Sequence, residues 1–347
     1  MGPDTPRGAL RHVLTHLLTP LLMCIGMGLA YLGAFSQPEP HELPVAVVGS
    51  GPSASTLAHG IAGKAGDKLA VRTVTDRDAA VRALRHQDIF GAYVPDRQAP
   101  ELLVASAGSD TTAVAVQKVF TPVAARTGAP LRVTDVARPA DGDPTGQGIF
   151  FLLVALSIGS YASVAVLGGA GAVLPMRLRA ALAVVTSLVV SVFGAVLAGP
   201  VFHLADHGLG GLWGMAWAYS AGILLVGVGL HTFLKRWTTL GMMVLFVMLN
   251  FTSAGGVYRP ELQNGFFAGL HSFWNGAGFV EGTRSLVYFD RNGLGGHVLT
   301  LALWLVAGLA VTAAAWFVET RKRRPAAVGH GGAGPAAEEE MEEAVGV

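Results

Sequence analysis

A single cysteine, Cys24, stands in 347 residues. One thiol closes no disulfide within the chain and builds no cysteine-based metal site. Charge is scarce as well. Asp, Glu, Lys and Arg make up 14% of the chain and apolar residues 52%, with a mean hydropathy of +0.50. Soluble domains carry about a quarter charged residues, so this composition describes a polytopic membrane protein. The net charge of +1 gives no reason to expect a nucleic-acid partner.

Catalytic signatures are also missing. No G-x-x-x-x-G-K-S/T loop occurs, so the chain does not hydrolyse ATP alone. No H-E-x-x-H and no His/Asp/Glu cluster at helical spacing lies in an apolar run, which argues against a membrane metalloprotease. Ser50, Ser53 and Ser55 follow a glycine turn, Gly49-Ser50-Gly51, without a base to activate them. The chain is read as a non-enzyme with no catalytic residue, cofactor or metal. Ionisable residues are nearly absent from the apolar runs, which weakens the case for a proton-coupled pump. His203, Asp206 and His207 fall at the outer end of one run, and His271 and His297 lie outside or at an edge.

What is present is a set of long apolar runs. A short basic N-terminus (1–12) precedes a first span at 13–35. Four more are expected within 148–256, at about 148–169, 179–200, 212–234 and 238–256, and a sixth at 296–318. Basic residues sit on one set of links: Arg177 and Arg179, Lys235 and Arg236, and Arg321 to Arg324. The positive-inside rule then puts both termini in the cytoplasm, with residues 319–347 as a disordered cytoplasmic tail.

Between the first two spans, residues 36–147 change character. Runs such as LPVAVVG (43–49), KLAVRTVTD (68–76), IFGAYVPD (89–96), ELLVASAG (101–108) and LRVTDV (131–136) alternate with helical patterns at 52–66, 76–88 and 110–127. That alternation predicts an inserted, extracytoplasmic α/β domain with a largely parallel sheet and Asp76 as a helix N-cap. After the fifth run, a glycine-rich break leads into an aromatic segment, 257–295. It is too polar to span lipid and too apolar for a free loop, so an amphipathic or re-entrant arrangement is expected. Within it Glu281 and Arg284 stand three apart and are expected to pair, at ~0.2–0.5 kcal/mol. Gly210 and Gly214 form a G-x-x-x-G, with Gly222, Gly227 and Gly229 further along the same run, as candidates for helix packing.

One anchor, an α/β domain and five further spans resemble the permease subunits of type-2 ATP-binding-cassette exporters and the related phage infection protein family. The most specific stretches are S-A-G-G-V-Y-R-P-E-L (253–262), G-F-F-A-G-L-H (265–271) and E-G-T-R-S-L-V-Y-F (281–289). They look like the glycine break, proline and short outer helices that precede the last span in that family. The resemblance implies an outer gate at Gly255, Gly256, Pro260, Glu281 and Arg284. It also implies a separate cytoplasmic ATPase subunit and a homodimer or heterodimer embedded in membrane lipid of the plasma membrane. The link 168–180 lacks the acidic-basic-Gly-Thr coupling helix of ATPase-driven members, leaving Arg177 and Arg179 as the ATPase contact candidates. The expected function is export of a hydrophobic or amphiphilic substrate. The alternative is a non-transporting scaffold or receptor whose outer domain binds a partner.

Overall fold

The computed structural model describes residues 6–126 and 128–323. Arg324 and the acidic end of the expected tail lie outside them. Helix α1 (Pro6–Phe35) is followed by β1 (Leu43–Val48), α2 (Pro52–Ala65), β2 (Leu69–Val74), α3 (Arg77–Arg85), β3 (Ala92–Val94), β4 (Glu101–Val104), α4 (Asp110–Ala125) and β5 (Arg132–Asp135). A mostly helical part then runs through α5 (Gly148–Gly168), α6 (Met176–Val196), α7 (Leu209–Leu234), α8 (Thr238–Met243), α9 (Asn250–Ser253), α10 (Gly265–His271), α11 (Asn275–Tyr288) and α12 (Leu294–Arg323).

Among the described residues, five helices are long and apolar enough to cross a membrane: Val13–Phe35, Gly148–Gly168, Met176–Val201, Leu209–Leu234 and Leu294–Lys322. The run expected as a further span at 238–256 is not one of them. Here α8 and α9 join through a π turn, Val244–Leu249, into the apolar helix Thr238–Ser253. At ~1.5 Å per residue its sixteen residues cover ~24 Å, short of the ~30 Å hydrocarbon core. The chain breaks at Gly255 and Gly256 and folds back. Almost all of α11 is buried, packed against α12, α7 and α5.

Helix α7 is the centre of the bundle, touching α5, α6, α11 and α12. Its small residues explain how so many neighbours fit. A Cβ at Gly229 would stand 2.8 Å from the Thr312 backbone nitrogen of α12, and one at Gly227 would collide with Val164 of α5. The Thr312 hydroxyl donates to the Leu225 carbonyl at 2.9 Å. The later glycines of the run are therefore consumed inside the chain. Gly210 and Gly214 meet nothing within 4 Å.

The five strands form one sheet in the order β2-β1-β3-β4-β5. β1 is parallel to β2 and β3, β4 is antiparallel to β3, and β5 is parallel to β4. The antiparallel step follows from a short link between β3 and β4, too short for the crossover that a parallel neighbour needs. Helices α2 and α4 pack on one face and α3 on the other. Asp76 caps α3, accepting from the Ala79 amide at 2.7 Å. Helix α4 is capped by Ser109, one residue ahead of the expected Asp110 start.

Candidate functional site at the junction of sheet and bundle

The glycine break delivers a charged loop into a buried place. Gly255 has φ +75°, a left-handed conformation that only glycine adopts freely. Ala254 is buried, and the chain stays bent through Tyr258 before Arg259, which is extended and whose successor Pro260 opens a single 3-10 turn, Pro260–Leu262. Asn264 then caps α10 and donates from its amide to the Gly33 carbonyl of α1 at 2.9 Å. Gln263 is tied back to the Thr252 carbonyl at 2.7 Å. These ties hold Arg259 against α11.

On α11, Glu281 and Arg284 share a face because they stand three apart. Arg284 is 1% exposed, Glu281 3% and Arg259 7%. One Glu281 oxygen accepts from Arg259 Nη1 at 3.0 Å and the other from Arg284 Nη1 at 2.9 Å. Arg284 Nη1 also donates to the Gly255 carbonyl at 2.8 Å. Glu261 lies 3.4 Å from Arg259 Nε, which makes the quartet neutral. The expected Glu281–Arg284 pair is present but not in the exposed setting that its small energy assumed. Burial opposes ionisation of Glu281, yet the Arg259 and Arg284 guanidiniums outweigh it and hold the carboxyl below the usual carboxylate range.

The α/β region rests on this loop. Arg259 lies over the Phe90 ring at 4.5 Å. Thr111 donates to the Val257 carbonyl at 2.8 Å, and the His41 amide to the Glu261 carbonyl at 2.8 Å. At the far end of α11, Asn292 donates to the His86 carbonyl at 2.7 Å. Asp143, 4% exposed, receives the Gln147 and Gly148 amides at the start of α5, and burial raises its pKa. One charged knot thus joins sheet, loop and bundle.

Of the expected gate residues, Gly255, Glu281 and Arg284 meet directly, and Pro260 sits in the same loop. Gly256 faces Phe150 of α5. Arg259 and Glu261, not among the expected gate residues, are members of the knot. Their signal was an Arg and a Glu flanking a proline in an otherwise apolar stretch, and no local spacing rule links them to α11. The two basic residues of link 168–180 both reach α12 but differ in burial: Arg179 is 3% exposed and paired with Glu319, while Arg177 is exposed and lies over Trp316, one turn away on the same helix, at 5.1 Å. The chain matches no family model, no curated protein and no solved structure.

The partly buried His271 beside the knot gives a pH prediction. Its Nδ1–H donates to the Ser253 carbonyl at 2.8 Å. Burial lowers its pKa, with Arg259 acting in the same direction and Glu281 against it. The folded state therefore resists the proton that the unfolded chain accepts near pH 6.5. Stability should be intact above that value and decline as pH falls below it. Melting temperature of the purified protein measured across that range should show the decline, and H271Q should flatten it. An unchanged acid limb in H271Q would remove His271 as its cause.

Proposed function

We propose that the chain is a permease-like transmembrane subunit of an ATP-driven exporter of a hydrophobic or amphiphilic substrate. In this reading it lies in the plasma membrane with both termini cytoplasmic, the α/β region is an inserted outer domain, and 257–295 acts as the outer gate. Two copies, or this chain and a relative, assemble around the path, and a separate cytoplasmic subunit hydrolyses ATP. The observation that carries the reading is α11: a helix with a buried, charge-compensated knot, held within the bundle and tied to the α/β region at both ends, through the Arg259 loop and through Asn292. A purely structural hairpin gains little from buried ions, since apolar residues of similar volume are often as stable or more so. An element that must release the domain and re-engage it has a use for them.

The alternative, a scaffold or receptor without transport, gains support from Arg179. Its guanidinium is engaged with Glu319 inside the bundle, which leaves Arg177, exposed over the Trp316 ring, as the member of the expected pair that an ATPase could meet. Purification in mild detergent from the native host decides between them. A stoichiometric ATPase that dissociates in R177E, with R177E still folded, supports export. Repeated recovery of the folded chain without an ATPase favours the scaffold.

A further inference from the structure

The face of the sheet under α2 and α4 is not closed. Because β3 runs directly into β4, no helix crosses above it on that side. Helix α2 packs over β1 and β2 while α4 packs beside β4. The gap between them is a groove of about 1090 Å³ above Tyr93 of β3, whose ring stacks on Phe120 at 5.3 Å. That exceeds the ~300–1,000 Å³ of ordinary small-ligand pockets.

The walls and the rim differ in chemistry. Leu57 and Ile61 from α2 face Val119 and Val123 from α4, giving an apolar trough. The charged residues lining it are Lys64, Lys68 and Arg126, and no Asp or Glu is among the lining residues. Lys68 also meets Glu39 at 3.8 Å, with both side chains exposed. The basic end includes Pro40, five residues beyond the end of α1. It therefore opens close in sequence to the point where the chain leaves α1.

We infer that this groove binds an anionic amphiphile, its acyl chain along the apolar trough and its carboxylate or phosphate against Lys64, Lys68 and Arg126. Charge complementarity selects the headgroup: an apolar trough alone would accept an alcohol equally well, whereas three cations without a lining carboxylate favour an acid. The inference deepens the export reading by naming its substrate class, and it is tested by binding rather than transport.

The test uses the full chain in nanodiscs of zwitterionic lipid, with dansyl-undecanoate as the fluorescent probe and empty discs as background. Saturable binding is expected, displaced by dodecyl phosphate and not by dodecanol. Gly60 lines the groove and a Cβ there would meet nothing within 4 Å, so a larger side chain has room to start into the trough. Replacing a helical glycine also raises helix propensity. G60F should weaken the probe by about tenfold or more, the equivalent of ~1.4 kcal/mol, with G60A close to wild type. K64E/R126E should lose binding to a similar extent. Absence of saturable binding, equal displacement by dodecanol, or unchanged affinity in G60F would each overturn the inference. An ATPase that co-purifies while the probe fails to bind would refute the groove and leave export standing. Binding without any ATPase would do the reverse.

Discussion

E281Q should be among the most damaging single substitutions in this chain, lowering stability by ~3–5 kcal/mol. Among the described residues, Glu281 is the side chain that bridges Arg259 and Arg284, one guanidinium on each oxygen. Without its charge, two buried cations face each other, with Glu261 left to compensate Arg259, and the Gly255 carbonyl and the more distant Asp143 carboxylate left to Arg284. A neutral amide supplies one acceptor oxygen where the carboxylate supplied two. Urea or thermal unfolding in detergent reads the loss, and near wild-type stability would mean that the knot is not closed in solution. E281D should not rescue, since the shorter side chain cannot reach both partners at once. A quadruple replacement, R259M/E261M/E281M/R284M, separates structure from function. Removing all four charges of the neutral quartet relieves their desolvation and leaves no unpaired ion, so stability should return toward wild type or above. If the knot is the fastening of a gate, transport should remain lost in this stable variant. If transport survives, the ions are structural remnants.

The elements of the α/β region were legible because its strands and helices carry local signals. β-branched runs such as Val45–Val48 and turns at glycine and proline mark the strands, and Asp76 marks a helix start. The long apolar helices were legible from length alone. The stretch 238–256 forms a shorter apolar helix than its hydropathy suggests, because hydropathy does not register the π turn or the return of the chain at Gly255. A sixteen-residue helix that ends inside the protein has the same composition as one that reaches the far interface. The charged site was half legible. Glu281 and Arg284 are neighbours on one helix, and spacing finds such pairs. Arg259 joins them from across a loop and a second helix, a long-range meeting that periodicity cannot report. Burial was the other hidden quantity: it turns a pair worth a few tenths of a kcal/mol on an exposed helix into a knot that is costly to break. Arg177 and Arg179 show the converse: two basic residues on one link suggested a contact outside the chain, yet both reach α12, Arg179 buried against Glu319 and Arg177 exposed over Trp316.

G256L should abolish correct packing of the break, and G256A should already damage it. A Cβ at Gly256 would run into the ring and Cβ of Phe150. Phe150 is 6% exposed and packs edge-on against Phe251 at 6.2 Å, so it has little room to retreat. Overpacking of a tight contact costs ~1–3 kcal/mol, and more where the neighbour is fixed on two sides. Gly255 next to it is bound twice over, by its left-handed φ and by a Cβ position 2.7 Å from His271 Cε1 and 2.9 Å from Glu281 Oε1. G210L is the matched control, because Gly210 meets nothing within 4 Å in the chain. The monomer should keep its stability in G210L, and any loss there confined to a dimer would locate a helix contact between copies. The double variant G256A/F150A gives the sharper result. If the collision with Phe150 is the cause, truncating the ring should recover part of the G256A loss, a coupling of ~0.5–3 kcal/mol between contacting residues. Additive losses would mean that the strain lies in the backbone of the break, and would move attention from α5 to Gly255. Either result bears on how the loop carrying Arg259 is delivered to α11, since both glycines must turn before the knot can close.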